Sequence, residues 1–217
     1  MEPTDHNRRA WDEVHRGAPE AMRGDLGLPE QAKRSLGDLK GKRILHLQCG
    51  TGEATLELAE LGAVVTGVDS SEVALEIARE RESSVLWVHS EVQSLPAELR
   101  RARFDLVYAA DGVLPWLLDL DAWALAIVAA LKQGGDLLLF ETHPVAQSVD
   151  SMMHWRESYF EATRDDVRFW RLGQTVTALA GAGLTIRALE EYPARRDSFR
   201  RQDARLPGEF LLHARKA

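Results

Sequence analysis

The stretch Leu45-His46-Leu47-Gln48-Cys49-Gly50-Thr51-Gly52 decides the fold. An apolar run, Lys42 to Leu47, reads as a buried strand and breaks at once into a glycine turn. Helical spacing resumes from Glu53 to Leu61 and stops at Gly62. Glycines let a backbone approach a ligand with no Cβ in the way. The helix that follows points unpaired N–H groups at whatever occupies the turn.

The same rhythm extends outward. Ala63 to Val68 is a second strand ending in Asp69, and Ser70 or Ser71 caps a helix from Glu72 to Arg81. Val85 to Val88 is a third strand, and a short helix is expected near Pro96–Arg101. Phe104 to Ala109 is the fourth strand. A helix from Asp119 to Leu131 stops at Gly134-Gly135, before a fifth strand at Leu137 to Phe140. These strands are continuous apolar runs rather than alternating ones, as in a parallel sheet covered on both faces. Upstream, residues 5–22 and 28–37 read as short helices, the first with Trp11, Val14 and His15 on one face. Downstream, residues 143–170 lose the rhythm and read as an insertion near the mouth of a site. Arg171 to Gly181 is helical again, and Leu184 to Tyr192 and Glu209 to Arg215 are closing strands. The expected architecture is α/β, a mostly parallel seven-stranded sheet with an antiparallel last strand. Residues 1–38 form a helical cap on a domain of residues 39–217.

Composition narrows the function. A chain of 217 residues suits one compact domain with at most a small cap. With 45% apolar and 28% charged residues it is an ordinary globular sequence, which excludes collagen, coiled coil and wholesale disorder. A net charge of −7 disfavours a dedicated nucleic-acid binder. The single cysteine, Cys49, makes no internal disulfide and no multi-cysteine zinc site; the seven histidines are scattered, so no structural metal is expected. Met1 to Arg9 lacks the apolar core of a signal peptide. The apolar stretch Leu106–Leu131 is interrupted by Asp111, Asp119 and Asp121 and does not span a bilayer. A cytoplasmic enzyme or binding protein without a membrane partner is the expectation.

Asp69 lies seventeen residues past Gly52, at the tip of the second strand. A carboxylate there accepts hydrogen bonds from the vicinal hydroxyls of a ribose. The plainer reading is a tight turn with a capping aspartate.

Leu45–Ser71 resembles class I S-adenosylmethionine-dependent methyltransferases, and the resemblance extends over roughly residues 40–217. The family's first motif reads acidic-x-Gly-x-Gly-x-Gly. Here His46 replaces the acid and Gln48 the first glycine, while Gly50 and Gly52 match. Asp69 matches the ribose-binding acid; Glu91, with Val92 beside it, matches the acid that meets the adenine amine. Ala109 and Ala110 match the segment along the methionine part, and Lys132-Gln133-Gly134-Gly135 matches the Pro-Gly-Gly turn before strand five. The His-Leu-Gln-Cys variant, with Trp116 and His143-Pro144, looks like a bacterial small-molecule subgroup. The resemblance implies a Rossmann-like fold, S-adenosylmethionine as methyl donor, S-adenosylhomocysteine as product and a small-molecule acceptor. It implies cofactor contacts at Trp11, Gln48, Gly50, Gly52, Asp69, Ser70, Glu91, Val92 and Ala109. Two alternatives stand beside it. A nicotinamide dehydrogenase needs a third glycine at position 55, where Thr55 stands. A non-catalytic nucleotide-binding domain would keep the fold alone.

Methyl transfer from a sulfonium asks chiefly for alignment and exclusion of water. A general base is needed only where the acceptor holds its proton. His143, at the carboxyl edge past strand five, is the candidate base and acceptor contact, with a hydrogen-bonding cap as the plainer role. Asp111 and Trp116 follow strand four; Trp116 is a stacking wall, a cation–π partner or a core residue. Tyr159, with Phe160, lines a lid or packs the insertion; Trp11 closes over the cofactor or staples its helix. His46 reads as a satisfied core histidine and Cys49 as a small apolar filler. The arginines between Arg195 and Arg205 read as a solvated connection before an anion or RNA site.

Overall fold

The computed structural model describes residues 9, 11–13, 15–17, 27–82, 84–149, 154–156, 158–160, 163–164, 167–193 and 205–217. Residues 9, 11–13 and 15–17 are helical. The elements that follow are α1 (Glu30–Leu36), β1 (Arg43–Leu47), α2 (Glu53–Glu60), β2 (Val64–Asp69), α3 (Glu72–Arg81) and β3 (Leu86–His89). Next come β4 (Phe104–Ala110), α4 (Leu120–Ala130), β5 (Leu131–Thr142), α5 (Pro144–Ser148), and a two-stranded ribbon of β6 (Thr163–Arg164) and β7 (Val167–Arg168). The chain closes with α6 (Leu172–Gly181), β8 (Leu184–Pro193) and β9 (Pro207–Lys216). Single 3-10 turns lie at Val92–Ser94 and Leu114–Trp116.

The seven-stranded sheet has the order β3-β2-β1-β4-β5-β9-β8. Pairing is parallel from β3 through β5, and β9 runs antiparallel to both β5 and β8. The strand order reverses between β1 and β4, and in open α/β sheets ligands bind outside the carboxyl ends of the strands at such a switch point.

Alternation along buried strands explains the two-sided cover. Leu45, Leu47, Val107, Ala109, Leu137 and Leu139 pack in one apolar cluster with Trp123 and Ile127 of α4 and Leu179 of α6. The intervening Ile44, Leu106, Tyr108, Leu138 and Phe140 pack in another, with Ala54 and Leu58 of α2. Successive side chains of a strand point to opposite faces, so each apolar run feeds both layers. Leu28, Ala32, Leu36 and Leu39 also belong to the second cluster. Residues 28–39 therefore pack into the main core, although the sequence reading assigned residues up to 38 to the cap.

Local departures from the sequence reading have local causes. No helix forms over Pro96–Arg101. The chain makes i→i+3 turns there, Leu99 N–H to Pro96 O and Arg100 N–H to Ala97 O. Ala102 and Arg103 then donate to Ala129 O and Ala130 O at the end of α4, drawing the backbone into β4 before another turn closes. Strand five begins at Leu131, which pairs with Phe104, so Gly134-Gly135 lies inside it as an irregularity. A Cβ at Gly135 would stand 2.9 Å from Lys132 O and 3.0 Å from Phe104 O, so only glycine fits. Ser71, not Ser70, caps α3: its hydroxyl accepts from Ala74 N–H at 3.1 Å. In the insertion α5 is followed by a bridge between Val149 and Trp155 and by the β6–β7 ribbon. Met152, Met153 and the arginines from Arg195 to Arg201 lie outside the described residues. Among the described residues no helix is long and apolar enough to cross a membrane.

Candidate functional site

A crevice opens at the carboxyl ends of β1, β2 and β4, with about 1060 Å³ of free space counting its mouth. It gathers Trp11, Gln48, Gly50, Asp69, Ser70, Glu91, Val92, Asp111 and Trp116 from the sequence-predicted set. Four predicted residues are not among its lining: Gly52, Ala109, His143 and Tyr159.

The glycine turn is built from alternate left-handed residues, with φ 54° at Gln48, 54° at Gly50 and 91° at Gly52. Gln48 holds a conformation that side-chain-bearing residues seldom adopt. Its Nε2 donates to Val113 O at 3.3 Å, tying the turn to the segment after β4. Its Oε1 is buried without a partner among the described residues, which leaves an acceptor for a ligand at the turn.

The two glycines do different work. A Cβ at Gly50 would meet nothing within 4 Å, because that side of the backbone faces the crevice. A Cβ at Gly52 would stand 2.5 Å from the Trp87 ring and 3.3 Å from Ala78. Gly52 therefore keeps room for packing beneath the turn. Trp87 also lies 2.6 Å from where a Cβ of Gly67 would be, and it shares a buried cluster with Cys49, Leu75 and Ala78. Cys49 is the small apolar filler that the sequence suggested.

Asp69 closes the turn onto β2. Its Oδ2 accepts from Gly50 N–H and its Oδ1 from Ser71 N–H, both at 2.8 Å. Ser70 N–H also donates to this carboxylate; of about four acceptor positions, one remains. Burial pushes the Asp69 carboxyl above its ordinary value, opposed by those N–H groups and by nearby His15.

The floor and the lid complete the crevice. His46 is buried, with Nδ1 2.7 Å from Thr55 Oγ1, and burial pushes its pKa down to about 3, so it stays neutral. Over the mouth, Trp11 stacks on His15 with ring centroids 5.5 Å apart and meets Trp116 edge-on at 5.4 Å. The Ser71 hydroxyl donates to Asp12 Oδ1 at 2.6 Å and fastens the N-terminal helical residues to the start of α3. Among the described lining residues the charged groups Asp69, Glu91 and Asp111 are all acidic, and no lysine or arginine joins them. Such a cleft favours a cationic ligand.

The remaining candidates sit elsewhere for physical reasons. His143 caps α5: Nδ1 accepts from Val145 N–H at 3.1 Å, and Nε2 lies 3.0 Å from Glu191 Oε1. Nδ1 is thus engaged and Nε2 lies beside the Glu191 carboxylate rather than in the crevice lining, and burial lowers the His143 pKa, against the pull of Glu191. Ala109 is fully buried in the core, and its neighbour Ala110 lines the crevice instead. Tyr159 packs edge-on against Phe160 at 5.3 Å and lines a separate groove with Trp170 and Arg171.

The sequence reading missed His15, Ser90, Gln93, Val113 and Leu117 as lining residues. His15 was detectable, since it falls four residues after Trp11 on one helical face. It also missed Glu141, a buried carboxylate at the end of β5 that binds the backbone after β4.

The reversed strand order, the glycine turn and the acid at the tip of β2 define a Rossmann-like α/β domain with a crevice at its switch point. Residues 44–135 match the sequence family described as a methyltransferase domain. A malonyl-[acyl-carrier protein] O-methyltransferase of Pseudescherichia vulneris is 29% identical over 145 residues, 63% of this chain and 57% of that protein. A ubiquinone biosynthesis O-methyltransferase of Alkalilimnicola ehrlichii is 36% identical over 107 residues, 48% of this chain and 42% of that protein. The chain spans about half the length of the curated relatives it matches. In three dimensions it superimposes on an S-adenosylmethionine-dependent methyltransferase from Mesorhizobium loti with a TM-score of 0.70 at 23% identity, covering 84% of this chain and 94% of that one. Residues 44–135 are thus similar to a methyltransferase domain, and the chain shares the fold of S-adenosylmethionine-dependent methyltransferases. The dehydrogenase alternative finds no support: at position 55 the buried Thr55 hydroxyl is bonded to His46.

Proposed function

We propose that this chain moves a methyl group from S-adenosylmethionine to an oxygen, nitrogen or carbon nucleophile of a small molecule in the cytoplasm. The observation that carries the reading is the pairing of Gly50 with Asp69: the glycine leaves open space, and the carboxylate beside it keeps an acceptor position beyond its three backbone bonds. The residues that would hold the donor are Gly50 and Gln48 at the turn, Asp69 and Ser70 at the ribose, and Glu91 and Val92 at the adenine. Trp11 closes over the mouth, and the acidic lining suits a donor carrying a sulfonium charge. When bound, S-adenosylmethionine supplies a methyl group already activated for displacement.

The chain's own part is to bind, align and keep water out. Trp11 and Trp116 meet at 73° and offer two aromatic faces to a planar acceptor, with Asp111 beside them. His143, held as a cap, has no free lone pair for base duty, so an acceptor that ionises or attacks unaided fits best. The N-terminal helical residues serve as the cap of the domain.

Calorimetric titration with S-adenosylhomocysteine and, separately, with NADH tests the reading. Micromolar binding of the first and none of the second is expected. Binding of NADH with silence toward S-adenosylhomocysteine would overturn it. Radiolabelled methyl transfer to a panel of phenols, quinols and amines then identifies the acceptor, and cell fractionation tests the compartment.

A further inference from the structure

Glu141 has no part in the function proposed above, yet it is fully buried beside the crevice. Its Oε1 accepts from Gly112 N–H at 2.9 Å and Thr142 N–H at 2.7 Å, and its Oε2 accepts from Leu114 N–H at 3.1 Å. Hydrogen bonds from backbone N–H groups to an ionised carboxylate are roughly twice as strong as neutral ones. Two of the three donors belong to the segment that leaves β4. That segment turns through left-handed backbone at Asp111 and Gly112, with φ 60° and 99°. A side-chain-bearing residue resists that conformation, so something must hold it. The same segment presents Asp111, Val113 and Trp116 to the crevice, across β1 from Asp69.

We propose that Glu141 is a positioning residue whose buried carboxylate grips the backbone at Gly112 and Leu114 and so fixes where Asp111 and Trp116 stand against the acceptor. This rests on the crevice being the donor and acceptor site. Glu141 acts through the segment and touches no reacting atom.

The grip depends on ionisation. The charged groups around Glu141 are Asp111 on the segment itself, Glu209 on β9 opposite Thr142, and His143 two residues along, which is engaged with Glu191. Burial, with Asp111 adding, pushes Glu141 up to about 7, although the three N–H groups oppose this. Oε1 carries two of the bonds and Oε2 one, so a proton goes to Oε2. Leu114 N–H then faces a hydroxyl oxygen, a weaker acceptor, while Gly112 and Thr142 keep theirs.

Amide exchange followed by NMR on the whole chain tests this, corrected for intrinsic exchange rates. In the unaltered protein, protection of Leu114 should fall by up to about tenfold between pH 8 and pH 6, the worth of one net hydrogen bond. Core amides of β1 and β4 should hold. In Glu141→Gln, whose amide offers one oxygen to three donors, Leu114 should be unprotected at both pH values. S-adenosylhomocysteine affinity should fall less than in Asp69→Ala, because Gln48, bonded to Val113 O, is the donor-holding residue tied to the gripped segment. Leu114 protection at pH 8 in the unaltered protein no greater than that of exposed turn amides would overturn the proposal, and this measurement needs no variant to fold. So would a loss of protection in Glu141→Gln spread evenly over the core. If the unaltered chain binds no S-adenosylhomocysteine, the reading of the crevice fails instead.

Discussion

Replacing Gly50 and Gly52 by alanine, one at a time, should separate two duties that a glycine motif merges. At Gly52 the backbone has φ 91° and ψ 8°, and the new Cβ would lie 2.5 Å from the Trp87 ring. Ordinary contact begins at 3.4 Å, so the ring must retreat by about 0.9 Å. Left-handed backbone costs about 1–2 kcal/mol for a residue with a Cβ. Forcing a buried ring aside costs about 1–3 kcal/mol more. Gly52→Ala should therefore lose ~2–5 kcal/mol, which lowers the Tm by roughly 4–20 °C in a chain of this size. Gly50→Ala shares only the backbone part, ~1–2 kcal/mol, since nothing of the protein lies within 4 Å of its Cβ. Its methyl group projects into the space assigned to the ligand, so S-adenosylhomocysteine binding should weaken at least about tenfold, or ~1.4 kcal/mol. Thermal melts and calorimetry at 15 °C measure both quantities. Gly52→Ala, where folded, should bind within about threefold of the unaltered protein. The reasoning is refuted if Gly50→Ala binds normally, or if Gly52→Ala melts no lower than Gly50→Ala.

Asp69→Ala should weaken S-adenosylhomocysteine binding by ~1–3 kcal/mol, the worth of charge-assisted hydrogen bonds; unchanged affinity by calorimetry would show that the ribose lies elsewhere. His143→Ala removes the acceptor for Val145 N–H, so urea melts should show a loss of ~1 kcal/mol while S-adenosylhomocysteine affinity is kept; a large loss of affinity would return His143 to the site. Two buried groups should shape the pH dependence of stability in opposite senses. Glu141, raised from 4.5 to about 7, keeps its proton in the folded state after the unfolded chain has released it, so its contribution falls as pH rises from about 4.5 to 7. His46, lowered from 6.5 to about 3, stays neutral when folded while the unfolded chain charges, so its contribution is whole above 6.5 and is lost as pH falls toward 3. Between pH 4.5 and 6.5 the two nearly cancel, so Glu141→Gln should make stability drop steeply on acidification, by ~1 kcal/mol per pH unit, and a flat profile by urea titration would count against it.

Much of the frame was legible because the strands carry unbroken apolar runs, which only a sheet covered on both faces requires. Ile44 and Leu45 feed opposite clusters, and their neighbours in β4 and β5 do the same. The gathering of Gly50, Asp69 and Glu91 at one crevice was legible for a related reason: they are fixed by their places at strand tips, and strand tips can be counted along a chain. The place of His143 could not be read this way. His143 sits at a strand tip too, but its ring turns into the start of α5 and toward Glu191. Rotamer and cap geometry decided that outcome, and neither has a linear signature. Gly52 looked like a ligand contact because a glycine's reason is invisible until its neighbour is known; here the neighbour is Trp87, from a distant strand. Glu141 was passed over because an isolated acid after an apolar strand resembles any surface carboxylate, and only burial with three backbone donors sets it apart.

The Ser71 hydroxyl has one proton and two lone pairs, and it uses both kinds of capacity: it receives Ala74 N–H and gives its proton to Asp12. Bonds that share one oxygen strengthen each other, so each weakens when the other breaks. Loss of the Ser71–Asp12 bond therefore weakens the cap of α3, at the residue whose N–H the Asp69 carboxylate accepts. One hydroxyl thus couples the seat of residue 12 beside the crevice to the seat of Asp69, so Ser71→Ala should disturb both together.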